Sequence, residues 1–227
     1  MCYSRFGKSN RKWDLARPAV SLLAGCLFCG GLSRRMGRDK AWLPWHGLPL
    51  AVWQAERLTQ VMPSVILLAG PGQPLPPLPE SIRVLRDAEA GLGPRAALIA
   101  ALSQLQDPPD FLFTLAVDMV WFDLKLLPTL QAHLVEEDAV VCQSAGRLQP
   151  LGALYRTAAL QAHGLPRQEA GESGSMMGLL HALRTAVIPE AAWQQPGIDG
   201  RSFESLNHPE DYAAALKSAG PPATPLP

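Results

Sequence analysis

The sequence predicts an α/β protein, a three-layer α/β/α sandwich around a mostly parallel sheet. Three observations predict it. Apolar, strand-like runs alternate with segments of helical period along the chain. The strand-like runs lack a clean two-residue alternation, as strands covered on both faces do. Three of these runs lead into chemistry-bearing residues: the loop after Cys29, Asp87 and Asp118. In open α/β sheets ligands sit at the carboxyl ends of strands, so the fold should bring these three features to one edge.

In order along the chain, residues 1–17 are polar and aperiodic and are expected to form a flexible arm before a domain spanning 18–218. "AVSLLAGCLFCGG" reads as the first buried strand, and a glycine-rich basic loop follows. "PLAVWQAERLTQV" carries apolar residues at helical spacing, and "SVILLAG" is a second buried strand. "PGQPLPPLPE" cannot continue a helix or an inner strand and reads as a surface loop. "SIRVLRDA" is strand-like. "GPRAALIAALSQL" reads as a helix with proline in its first turn, where the missing N–H costs nothing. "DFLFTLAVD" is a strand running into Asp118. "DLKLLPTLQAHL" is helical, with Pro128 breaking or restarting it. "DAVVCQ" and "RLQPLGALYR" look like paired strands, and "GSMMGLLHALR" and "HPEDYAAALKSA" like helices. Residues 219–227 form a proline-rich tail.

Composition excludes several classes. The 227 residues carry a formal net charge of zero, with 48% hydrophobic and 18% charged residues, an ordinary globular balance. A neutral chain exerts no general pull on nucleic acid or anionic membrane, so neither is an expected partner. The longest apolar run, Ala19 to Cys29, falls well short of the ~20 residues that cross a bilayer. Its flanks lack the order of a signal peptide, which points to the cytoplasm. The four cysteines are too scattered for a disulfide framework. Cys26 and Cys29 form a CxxC with no second pair to complete a zinc site, and they read as two small hydrophobes in a buried strand. The five histidines lack ligand spacing, and Met176 and Met177 read as core filler.

Charge is concentrated in "CGGLSRRMGRDK", residues 29–40, which holds three glycines, four basic residues and Asp39. Glycine lets backbone N–H groups close on an anion. Arginine matches phosphate oxygens bidentately, and lysine supplies a compact point charge. These are the parts of a triphosphate cradle. The segment lacks the Gly-Lys-Ser/Thr ending of a P-loop and the GxGxxG of a dinucleotide fold. A solvated basic turn is the competing reading.

The segment resembles the G-G-x-S-x-R-M-G-x-D-K signature of the MobA-like nucleotidyltransferases, those similar to molybdenum cofactor guanylyltransferase. Gly30, Gly31, Ser33, Arg35, Met36, Gly37, Asp39 and Lys40 fall on its fixed places. "RDAEAGLGPRAALIAAL", "FLFTLAVDMVWF" and "FESLNHPEDYAAAL" are similar to three further family segments in the same order, so the resemblance covers residues 20 to 217. It implies a Rossmann-like fold of the nucleotide-diphospho-sugar transferase type. It also implies transfer of a nucleoside monophosphate from a triphosphate to a phosphorylated acceptor, with release of pyrophosphate. On this resemblance Phe28, Cys29, Gly30, Gly31 and Ser33 line the nucleotide, and Arg35 and Lys40 neutralise the triphosphate. Asp87 contacts ribose or base, Asp118 holds Mg²⁺, and Asn207 touches the acceptor. The implied substrates are GTP, or CTP, and molybdopterin. Transient contact with cofactor-insertion proteins or molybdoenzymes is implied as well.

The sequence departs from the family at four places. Cys29 stands where alanine is usual, and Met119-Val120 follow the metal-binding aspartate where x-Pro is usual. Ser205 and His208 replace Asn and Thr in the closing segment. "LLAGPGQPLP" lacks the Asn-Arg pair associated with guanine. These departures keep open a cytidylyltransferase acting on molybdopterin or on a sugar or polyol phosphate, and a non-catalytic nucleotide-binding accessory protein. Pro150 and Tyr155 either wall the acceptor pocket or pack a strand. Trp42 and Trp45 belong to a hairpin after the loop. Arg201 either reaches an acceptor phosphate or is solvated.

Overall fold

A computed structural model describes residues 22–30, 36–87, 93–163 and 175–219. The expected arm, residues 1–17, lies outside them, as do Gly31, Ser33, Arg34 and Arg35 and all but the first residue of the expected tail.

Among the described residues seven strands form the main sheet: β1 (Leu23–Phe28), β4 (Ser64–Ala69), β5 (Ile82–Arg86), β6 (Phe111–Ala116), β7 (Ala139–Ser144), β8 (Arg147–Arg156) and β9 (Thr185–Ile188). A two-stranded hairpin, β2 (Pro44–Trp45) with β3 (Leu48–Pro49), stands apart from it. The helices among the described residues are α1 (Leu50–Thr59), α2 (Pro94–Ser103), α3 (Leu127–His133), α4 (Thr157–His163), α5 (Met176–Ala182), α6 (Glu190–Trp193) and α7 (Pro209–Ser218).

The sheet runs β5-β4-β1-β6-β8-β7-β9. All its neighbours pair in parallel except β8, which is antiparallel to both β6 and β7. From β1 the chain moves outward through β4 to β5, then returns across β1 to β6. The reversal opens a crevice between the carboxyl ends of β1 and β6, which is where ligands bind in such sheets.

Successive residues of the inner strands serve opposite layers. Leu27 and Cys29 pack into a core shared with α1 and α3, while Cys26 and Phe28 pack into one shared with α2 and α5. Burial on both faces is why these strands read as unbroken apolar runs. Pro128 sits in the first turn of α3 after a 3-10 turn at Leu124–Leu126, so proline restarts this helix rather than ending it. β6 ends at Ala116 and β5 at Arg86, which leaves Asp118 and Asp87 just beyond strand ends. β9, α4 and α6 carry no separate signal in the sequence. β9 and α6 span four residues each, too few for a period to show.

Paired with β7, β8 breaks register: Val140 faces Leu154, but Cys142 faces Gln149. The surplus residues bulge, and Gly152 adopts φ 73°. A Cβ at that position would stand 2.6 Å from the Phe122 ring and 2.9 Å from Phe203, so only glycine fits. The Pro150 carbonyl is fixed by the Tyr155 hydroxyl, which donates to it at 2.7 Å, and by the Thr114 hydroxyl at 3.3 Å.

Candidate active site

At the crevice between β1 and β6 lies an open cleft of about 360 Å³. Phe28, Cys29 and Gly30 border it from the exit of β1, Ala116 to Met119 from the exit of β6, and Gln149, Pro150 and Leu151 from the β8 bulge. Lys40, Pro94 and Ser205 complete the wall. Pro94 opens α2, so the positive end of that helix's dipole meets the rim.

The cleft is built from backbone geometry first. The Cys29 and Gly30 amides both donate to the Leu68 carbonyl of β4, at 2.9 and 3.2 Å. The Val117 amide donates to the Phe28 carbonyl at 3.0 Å, carrying the β1–β6 ladder one residue past the end of β6. A side chain at Gly30 would press on the Gly70 nitrogen at 3.2 Å, so glycine permits this close approach.

Charge converges at one point. Lys40 begins a 3-10 turn, Lys40–Trp42, capped by the Asp39 carboxylate, which accepts from the Ala41 amide at 2.9 Å. The turn delivers the Lys40 ammonium to Asp118 Oδ2 at 2.5 Å and to Asn207 Oδ1 at 3.4 Å. Both partners of the ion pair retain some exposure, 15% for Lys40 and 14% for Asp118, so they face the cleft and stay reachable. The Asp118 carbonyl accepts from the Leu206 amide at 3.1 Å, which draws the closing segment against β6. Asn207 is set in turn by Asp211 of α7, whose carboxylate accepts from the Asn207 and His208 amides at 2.9 and 2.8 Å. The His208 amide above all, and then the Asn207 amide, hold the Asp211 carboxyl below the ordinary aspartate range. His208 is therefore compatible with the closing segment, because the bond to Asp211 uses its main-chain amide, which threonine would supply equally.

The loop after Asp118 has no x-Pro, and α1 supplies the support. The buried Gln54 amide donates to the Met119 carbonyl at 3.0 Å and accepts from Arg57, whose guanidinium also donates to the Phe122 carbonyl at 2.7 Å. Met119 and Val120 pack into the core. Gln54 and Arg57 escaped the sequence reading. Their only signal was a Gln and an Arg one turn apart on a helix that is otherwise apolar on that side.

The sequence-predicted residues separate into three groups. Phe28, Cys29, Gly30, Lys40 and Asp118 line the cleft, and Asn207 reaches it through Lys40. Asp87 follows the edge strand β5, with its amide on the Ala69 carbonyl at 3.0 Å, and is not among the cleft-lining residues. Gly31, Ser33 and Arg35 lie outside the described residues. Trp45 is buried in the hairpin, and Trp42 donates its indole N–H to the Pro74 carbonyl. Arg201 pairs with Asp199 at 2.8 Å and lies 3.7 Å over the Trp121 ring, which ties it into local structure. Cys26, Cys29 and Cys142 are buried free thiols, and burial pushes Cys26 up to about 12. These values suit inert packing residues rather than ligands or nucleophiles.

The donor set fits a hard cation. Asp118 offers carboxylate oxygen at a site that already attracts a cation, the Lys40 ammonium. Among the described residues no group of three His, Cys, Asp or Glu side chains could hold a metal. One carboxylate completed by substrate phosphates and water is the usual pattern for Mg²⁺, not for zinc. No helix among the described residues is long and apolar enough to cross a membrane.

Comparison with known proteins agrees with this geometry. The family model of the MobA-like NTP transferase domain matches residues 25–182. A Mycobacterium tuberculosis protein named "Probable molybdenum cofactor guanylyltransferase" is 43% identical over 144 residues, which is 62% of this chain and 71% of that protein. One of the same name from Mycobacterium avium is 37% identical over 175 residues, 74% of this chain and 87% of that protein. The solved structure of molybdopterin-guanine dinucleotide biosynthesis protein A from Archaeoglobus fulgidus superposes with a TM-score of 0.68 at 19% identity, covering 86% of this chain and 98% of that one. That likeness speaks to fold. The matched domain spans both the glycine-rich strand end and the Asp118 loop, and this chain belongs to the MobA-like NTP transferase family and is a nucleotidyltransferase.

Proposed function

We propose that the protein transfers GMP from GTP to the phosphate of molybdopterin carrying molybdenum, with Mg²⁺ and with release of pyrophosphate. The observation that carries this reading is the meeting of Lys40 and Asp118, at 2.5 Å, beside Gly30 at the crevice between β1 and β6. The names of the mycobacterial relatives supply the acceptor class.

In the reaction an acceptor phosphate oxygen bonds to the α-phosphorus of the triphosphate. The bond from that phosphorus to the bridging oxygen breaks, and pyrophosphate leaves with the electron pair. Two anions must approach each other, so the barrier is largely electrostatic. Lys40 supplies a fixed positive charge at the cleft wall, beside Gly30. The N-terminus of α2 adds a favourable dipole at the rim. Asp118 would hold the Mg²⁺, which neutralises phosphate oxygens when bound. No protein nucleophile is required, since positioning and charge suffice. Gln149, Pro150 and Leu151 give the opposite wall, where an acceptor would lie.

A cytidylyltransferase reading has one observation in its favour: no Asn-Arg pair follows β4, where residues 70–77 read "GPGQPLPP". One experiment separates the readings. The protein with Mg²⁺ and molybdenum-bearing molybdopterin is given GTP, CTP, ATP and UTP in turn, and pyrophosphate release is followed. GTP should dominate. Preference for CTP would move the reading to the cytidylyltransferase. Triphosphate binding without pyrophosphate from any of the four would make the protein an accessory factor.

A further inference from the structure

Gln73 lies in the proline-rich loop after β4, a segment that reads as plain surface from sequence. Its half-buried amide is fully engaged. Oε1 accepts from the Gly70 amide at 2.9 Å. Nε2 donates to the Cys29 carbonyl at 3.1 Å and to Asp39 Oδ2 at 2.8 Å. One amide thus touches both ends of the glycine-rich segment, the exit of β1 and the cap of the turn that carries Lys40.

The turn that bears Gln73 is itself anchored. The Gln73 amide N–H donates to the Gly70 carbonyl at 3.2 Å. The Arg86 guanidinium donates to the Gly70 and Gln73 carbonyls at 3.2 and 2.9 Å, and Gln104 at the end of α2 donates to the Arg86 carbonyl at 3.1 Å. A chain of hydrogen bonds therefore runs from α2 through β5 to Asp39, one residue before Lys40. Both N–H donors of Gln73 are used within the protein, so the side chain has none left to read a nucleobase.

We infer that Gln73 is a positioning residue for nucleotidyl transfer: it clamps Cys29 and Asp39 together and so fixes where the Lys40 ammonium stands. The functional half of this inference rests on the nucleotidyltransferase reading above. The bond to Asp39 is charge-assisted, and such bonds are about twice as strong as neutral ones.

Gln73→Glu tests it with almost no change of shape. The new carboxylate still accepts from Gly70 but turns an oxygen on Asp39 and on the Cys29 carbonyl, where donors stood. Amide hydrogen exchange across residues 36–43 should accelerate, while exchange across residues 147–156 stays as in the wild type. Calorimetric affinity for GTP, or for CTP if the nucleotide panel selects it, should weaken about tenfold. Gln73→Glu with Asp39→Asn reverses donor and acceptor, and should restore protection across 36–43 and part of the affinity. A protein that merely needs Gln73 for global stability would show no such rescue. Unchanged exchange in Gln73→Glu, or a double variant no better than the single, overturns the clamp. If the wild type binds no triphosphate, the reading of function falls, and the exchange measurements still decide the clamp.

Discussion

The two halves of the sheet solve different problems. In the half formed by β5, β4, β1 and β6 every pair is parallel and in unbroken register, and the cleft is met by charge and backbone: Gly30, Lys40, Asp118. In the half formed by β8, β7 and β9 one strand is reversed and bulged, and the cleft is met by Gln149, Pro150 and Leu151, with little charge. The regular half holds groups rigidly enough to face a polyanion. The irregular half spends its regularity on shape, since the bulge at Gly152 is what pushes Pro150 and Leu151 into the cleft. On the proposed reading, one half handles the triphosphate and the other admits the acceptor.

The sharpest way to break this division is Asp118→Ala. Loss of the carboxylate should lower kcat for pyrophosphate release by about 10³-fold. The melting temperature should hardly move, because the backbone bond from Leu206 to the residue 118 carbonyl survives. Turnover near the wild-type value would mean that the regular half is not where transfer occurs.

Next in size is Gly152→Ala. A methyl group placed 2.6 Å from Phe122 on a left-handed backbone should cost about 2–3 kcal/mol in urea unfolding. GTP affinity should hold while the KM for the acceptor rises. If GTP affinity falls in parallel, the halves are not separable.

Most of the fold was legible because strands buried on both faces and helices with one apolar stripe leave periods long enough to read. "SVILLAG" and "PLAVWQAERLTQV" became β4 and α1 with only their ends trimmed. The four-residue elements β9 and α6 were not legible, since they are held by partners distant in sequence: β9 by β7, and α6 by Trp193, whose indole N–H donates to the Gln143 carbonyl. Lys40 and Asp118 were legible through residue types in a fixed pattern. Gln54, Arg57 and Gln73 were not: Gln54 and Arg57 act on main-chain carbonyls, which leave no mark in sequence, and Gln73 joins one such carbonyl to a carboxylate far from it along the chain, Asp39. The register break that exposes Pro150 was likewise hidden, although Gly152 within an otherwise strand-like run is the kind of residue that marks a bulge.

The smallest expected effect tests how the closing segment is held against the regular half. Asp211 is fully exposed, yet its carboxyl is held below the ordinary aspartate range, first by the His208 amide and then by the Asn207 amide, with Lys40 adding a minor share. A carboxyl depressed in the folded state favours folding above its unfolded value, about pH 4, and this contribution is lost as pH falls through the folded value. Asp211→Asn keeps one acceptor but removes the titration. The wild type should therefore melt slightly higher than Asp211→Asn at pH 7, and the gap should narrow as pH falls below about 4. A gap that does not narrow on acidification would assign the effect to shape rather than to charge. The link from α7 through Asn207 to Lys40 would then be packing alone, and the regular half would owe less of its order to electrostatics than its counterpart across the cleft suggests.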